Sequence, residues 1–331
     1  MTASRMGNRW LLFGFLFPLF LLTPTPDHFS QLIRDNVLAN RPAQALYQIH
    51  ALVLDQGWTA DLALQAGDLA YASGDMQSAA SYWEIALNLQ PGNGTLTRRL
   101  SLHYLDMEYW SQAVRMLDQS VVLDADDNWA HFHLALLQLT INPSAAVTHF
   151  QLAARDARFT TVAEDLLPLL QAASAGEPQD MPRIGVILAG HNLWRYADYV
   201  LQFEVSLSPQ PEAVAYLGLA RDHLGKNSSG QFRTALELAP NNPRIHFIHG
   251  LHYRLLEDHL ESLYAFQRAA SLDPINPTYA AEVGLTYQHL GQSAEAEYWL
   301  KAALTLSAND NRFQSLLDAF YEQSPSLTPS N

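Results

Sequence analysis

A near-repeat of 34 residues, clearest from Pro243 to the C-terminus, constrains this chain more than any other feature. Gly250, Tyr253, Phe266, Ala269 and Pro274 recur as Gly284, Tyr287, Leu300, Ala303 and Ala308. A unit of that length holds two helices and a turn. It cannot bury its own apolar side alone and must stack on its neighbours. Such an array offers an extended surface to partners.

Working backward, alanine followed four residues later by an aromatic or a leucine marks further units. One holds Gly67, Tyr71, Ala79, Trp83, Ala86 and Pro91; the next holds Tyr104, Ala113, Leu117 and Ser120. A third carries Ala135, Ala146, Phe150 and Ala153, one residue short between its helices, with Asn142-Pro143 as the turn because proline suits a helix start. The turn-rich segment from Ala175 to Asp180 interrupts the pattern and predicts a hinge. The pattern resumes with Gly185, Ala197, Leu201 and Pro209, and again with Gly218, Gly225, Phe232, Ala235 and Pro240. A weak unit before Trp58 places Ala45, Ile49 and Leu52 on a second helix.

These residues resemble the tetratricopeptide repeat family from about Asp27 to Asn309. The resemblance implies an all-α fold, a right-handed superhelical solenoid of antiparallel helix pairs whose first helices line a concave groove. Ala308 stands where the family usually has proline. The expected organisation is a signal peptide or membrane anchor over 1–26, an N-terminal array over 27–159, a helix and hinge over 160–182, a C-terminal array over 183–310, and a capping helix and tail over 311–331. The cap, Asn311 to Gln323, carries Phe313, Leu316, Leu317 and Phe320 on one side.

Counting each unit from its opening residue (Ala60, Gly94, Asn128, Pro243 or Pro277), the resemblance implies that the fifth and ninth places face the groove. They read Leu64, Arg98, Phe132, Phe247 and Ala281, then Asp68, Leu102, Leu136, Leu251 and Leu285. The expected groove is therefore mostly apolar, with Arg98 and Arg254 for polar anchoring, and suits an amphipathic helix or a hydrophobic extended peptide. Family members that clamp a partner's C-terminal carboxylate use a Lys, Asn and Arg set that this chain lacks. Phe132 and Phe247 are the strongest candidate contacts, since aromatics in an exposed apolar patch mark binding sites.

Several function classes drop out. Acidic residues number 33 against 19 basic, a formal charge of -14, which repels a phosphate backbone, so no nucleic-acid partner is expected. There is no cysteine, hence no disulfide and no thiolate site. No G-x-S-x-G, H-E-x-x-H, P-loop or G-x-G-x-x-G occurs, and the carboxylates are scattered, so no enzyme, catalytic residue or cofactor is expected. His246, His249 and His252 fall three apart and His131 lies near His133, but this spacing alone does not supply three or four converging ligands, and no metal is expected.

Arg5 and Arg9 precede an apolar run from Trp10 to Leu22, the order of a secretory signal. The run is short against the about 20 residues of a spanning helix and contains Pro18. A cleaved signal and a retained anchor both fit, with a buried cytosolic helix as a third reading. In the first two, positive charge stays inside and the bulk of the chain lies outside the cytoplasmic membrane. The chain thus reads as a non-catalytic scaffold for a protein or peptide partner, exported or tethered to the membrane. The alternative is an accessory subunit of an envelope polysaccharide or glycosyl-transfer system.

Overall fold

A computed structural model describes residues 26–308 and 310–323. The apolar run at 10–22 and the tail from 324 lie outside these residues. The described chain contains 18 helices and no strand. It divides into two compact units, Met1–Met107 and Glu108–Asn331.

In the first unit, α1 (Pro26–Leu38) pairs with α2 (Pro42–Gln56), α3 (Ala60–Ala72) pairs with α4 (Met76–Leu89), and α5 (Gly94–Asp106) packs on α4. Ala45, Ile49 and Leu52 are the buried residues of α2. They meet Leu62, Ala66 and Leu69 of α3 in one apolar cluster.

In the second unit, α6 (Trp110–Leu123) packs on α7 (Asn128–Gln138), which pairs with α8 (Pro143–Ala153), and α9 (Ala157–Ser174) follows against α8. The expected hinge segment 160–182 holds most of α9 and the turn after it. Four regular hairpins come next. They are α10 (Met181–Gly190) with α11 (Trp194–Leu207), α12 (Pro211–His223) with α13 (Ser229–Leu238), α14 (Pro243–Leu255) with α15 (His259–Leu272), and α16 (Pro277–His289) with α17 (Ser293–Leu306). Helix α18 (Asn311–Gln323) closes the last pair, burying Phe313, Leu317 and Phe320.

Five of the hairpins are held by the same steric device. The small residue on the first helix admits a bulky side chain from the second, sixteen residues later in four of five cases. A Cβ added at Gly250 would lie 2.6 Å from the Phe266 ring, and one at Gly185 would lie 2.5 Å from Leu201. The same holds for Gly67 with Trp83, Gly218 with Phe232 and Gly284 with Leu300. Trp83, Phe232 and Phe266 are accordingly among the largest side chains that are fully buried. The cost of a helical glycine is about 1 kcal/mol, less than the burial of such a ring returns.

Polar residues at the helix ends fix where each element starts. The side chains of Asp75, Asn93, Asp127, Asn142, Asp180, Asn242, Asp258 and Asn276 each accept a first-turn backbone N–H. Pro143, Pro243 and Pro277 occupy the first helical position, where a missing N–H costs nothing. The turn inside the hairpin needs one left-handed residue. Asn40 and Gly74 supply it 34 residues apart, as do Glu257 and Gly291.

Phe266→Ala is expected to cost about 3–5 kcal/mol in denaturant unfolding. Gly250→Ala is expected to destabilise by about 1–3 kcal/mol, despite the better helix propensity of alanine. An unchanged unfolding midpoint for Phe266→Ala would contradict this packing.

Candidate functional site: a cleft on the first helices of the second unit

The structure scatters the groove positions read from the sequence. Phe132 is only 4% exposed, stacks on Phe159 with ring centroids 4.4 Å apart, and meets Phe150 edge-on. Leu136 is fully buried. Both are core residues rather than contacts on an open face, because α9 folds back and covers this side of α7. Phe247 is half-buried between Phe266 and Tyr279, and Leu251 packs in the same clusters. Leu285 packs on the Leu300–Phe320 cluster beneath α18, and Arg254 is tied to Glu282 at 2.5 Å.

In the first unit, Leu64 is half-buried while Arg98 and Leu102 are exposed. Asp68 accepts from Trp83 Nε1 at 3.0 Å and pairs with Arg99 at 2.6 Å, and the Arg99 guanidinium lies 4.3 Å from the centre of the Trp83 ring. Leu102 lines a hollow of about 320 Å³ with Tyr71, Trp83, Arg99, His103 and Asp106.

The larger cleft, about 430 Å³, lies along the first helices of the second unit. Helix α10 contributes Arg183, Val186 and Ile187, α12 contributes Glu212 and Tyr216, and α14 contributes Arg244. Glu212 receives Arg244 Nη1 at 3.2 Å on one oxygen and Asn242 Nδ2 at 3.0 Å on the other. The pair bridges two successive hairpins. Burial raises the Tyr216 phenol above its ordinary pKa, with Arg244 pulling the other way. The phenol is thus a neutral donor at physiological pH. The cleft has an apolar floor from Val186 and Ile187, a phenol in its wall and charged groups of both signs at its rim. That arrangement suits a polypeptide segment carrying both apolar and polar side chains. Counted from Pro178 and Pro211, Arg183 and Tyr216 fall at the sixth place, which the fifth-and-ninth rule does not reach.

Beside this cleft, α11 closes over α6 and α7 within the second unit. His133 Nδ1 meets the Tyr196 hydroxyl at 2.5 Å, and Thr140 Oγ1 lies 3.4 Å from the Tyr199 hydroxyl. Lys226 Nζ donates to Glu108 at 2.6 Å and to Asp198 at 2.7 Å, while Arg221 holds the other oxygen of Asp198. Burial would lower the lysine pKa, but hydrogen bonds and charge from Asp198 and Glu108 outweigh it and the net displacement is upward. Among the described residues, no buried side-chain nitrogen or oxygen lacks a partner.

The histidines serve packing. His252 Nδ1 bonds Asp222 Oδ2 at 2.7 Å, His246 Nε2 meets the Pro240 carbonyl at 2.8 Å, and His249 lies over Phe232. No group of three or more His, Asp or Glu converges among the described residues.

The helix pairs with their glycine and bulky partners give the all-α, antiparallel pairing that the sequence resemblance implies. No sequence-family model matches the chain, and no curated protein matches it. Among solved structures it is similar to a tetratricopeptide repeat protein from Parabacteroides merdae ATCC 43184, at 10% identity and TM-score 0.36 over 89% of this chain and 98% of that one. It is also similar to the APC/C hetero-tetramer Cut9–Hcn1, at 16% identity and TM-score 0.38, covering 91% of this chain and 57% of that one. Yeast Tom70 matches at 13% identity and TM-score 0.39 over 81% and 73%. Overlaps of this size carry no functional implication.

His249 generates a pH dependence. Burial, then the neighbouring His252 and His246, push its pKa from 6.5 down to about 4, against a smaller opposite pull from Asp222. The unfolded chain therefore binds the proton first. Stability from this group is complete above about pH 6.5 and is lost as pH falls toward 4. Melting temperature is expected to fall across that interval and to fall less in His249→Gln; parallel profiles would contradict the assignment.

Proposed function

We propose that the protein is a non-catalytic scaffold that holds a partner polypeptide on the α10/α12/α14 face. The observation that carries this reading is the cleft itself. Three successive first helices contribute an apolar floor from Val186 and Ile187, the Tyr216 phenol, and the Glu212–Arg244 pair at the rim. Tyr216 and Arg244 are the residues that anchor the partner, since aromatic and arginine side chains carry most of the affinity at an interface.

The scaffold is exported or held at the membrane by the N-terminal apolar run. Arg5 and Arg9 before Trp10 to Leu22 support this reading. Among the described residues, no helix is long and apolar enough to cross a membrane.

A photo-crosslinking amino acid placed at Val186 is expected to yield a discrete protein adduct in the native host, reduced at least tenfold by Tyr216→Ala with Arg244→Glu, the equivalent of about 1.4 kcal/mol or more. Adducts insensitive to both substitutions would contradict the site. N-terminal sequencing and protease accessibility in intact cells test the location. An uncleaved, protected chain found in the soluble cytoplasmic fraction would contradict it.

A further inference from the structure

We infer that the hollow between α6 and α11 is a binding site for an alkylammonium group, the side chain of a lysine on a binding partner. It lies apart from the α10/α12/α14 cleft and does not depend on that reading. The hollow has a volume of about 320 Å³ and is lined by Trp110, Tyr199, Phe203, Gln202, Glu108 and Asp198. That size falls at the lower end of the roughly 300–1,000 Å³ range of ligand clefts.

Three aromatic rings meet two carboxylates here. Trp110 and Tyr199 have centroids 5.1 Å apart at an interplanar angle of 51°, so their faces form two walls of a corner. Phe203, 40% exposed, is a third ring at the opening, where nothing in the hairpin packing requires an aromatic. The negative faces of such rings attract an alkylammonium, and a nearby carboxylate completes the charge.

The chain itself shows that the site accepts this chemistry. Lys226, one of two lysines in the sequence, already inserts its Nζ between Glu108 and Asp198 from one side. Asp198 is saturated, since Arg221 and Lys226 take its two oxygens. Glu108 gives Lys226 only Oε1, and its side chain is 34% exposed, so Oε2 remains toward the hollow's rim as the acceptor for a second ammonium. A neutral ligand would gain the rings but not this carboxylate. A phosphate or carboxylate ligand would find Lys226 and Arg221 already committed to Glu108 and Asp198, in the field of a chain with net charge -14.

The test uses the full chain labelled with 5-fluorotryptophan and followed by fluorine NMR. The chain has seven tryptophans, so the Trp110 signal is assigned from its loss in Trp110→Phe. N-acetyl-lysine methylamide is the probe, and N-acetyl-norleucine methylamide is its uncharged counterpart. A saturable shift of the Trp110 signal with the lysine probe at millimolar concentration and none with the norleucine probe is expected. Phe203→Ala is expected to weaken it by about two- to fivefold, the loss of one exposed cation–π contact. Lys226→Met, checked for retained helicity, is expected to tighten it by freeing Glu108 Oε1 and Asp198 Oδ2. An unmoved Trp110 signal, an equal response to norleucine, or binding unaffected by Phe203→Ala would each overturn the proposal.

Discussion

The contact between a small residue on one helix and a bulky side chain on the next is the constraint on which the rest of the structure depends. Where a glycine backbone is bare, the second helix can approach until a ring or a leucine fills the gap, as Phe266 does over Gly250 and Trp83 over Gly67. The gap sets the distance between the two helices. It also sets their rotation, because only one side of each helix carries the matching residue. Once every hairpin has the same internal geometry, successive hairpins can stack with little adjustment. Their first helices then lie side by side, as α10, α12 and α14 do.

The regular stack explains why a cleft forms where it does, and the irregular part explains where it does not. Along α10, α12 and α14, Glu212, Tyr216 and Arg244 line an open hollow. Around α7 the corresponding surface is taken up by the chain itself. Phe159 stacks on Phe132, and Tyr196 of α11 reaches His133. Lys226 then fastens the start of α6 to α11 through Glu108 and Asp198. A polar network of this kind stabilises mainly by leaving no member unpaired, and Asp198 would be costly if either cation were removed.

The hairpins were legible in the sequence because their determinants are local. A glycine and a bulky residue sixteen positions apart and a proline at the first turn can both be read within one unit. The capping helix from Asn311 was legible for the same reason, since its apolar side follows helical spacing. The candidate site was mostly not legible. Whether Phe132 faces solvent depends on Phe159, and whether the α7 side is open depends on contacts 63 and 118 residues away in sequence, His133 with Tyr196 and Glu108 with Lys226. No periodicity within a unit reports on those. Leu102 falls at the ninth place counted from Gly94, whereas Arg183 and Tyr216 fall at the sixth place counted from Pro178 and Pro211, a position that the family rule does not assign to the groove.

The most direct measurement is a double-mutant cycle on Gly185 and Leu201, chosen because the three atoms nearest an added Cβ at Gly185 are all on the Leu201 side chain. If close approach of the helices is the governing contact, Gly185→Ala is destabilising in the presence of Leu201 and nearly neutral in the presence of Leu201→Ala, giving a coupling of about 1 kcal/mol or more. Strictly additive effects of the two substitutions would contradict the account.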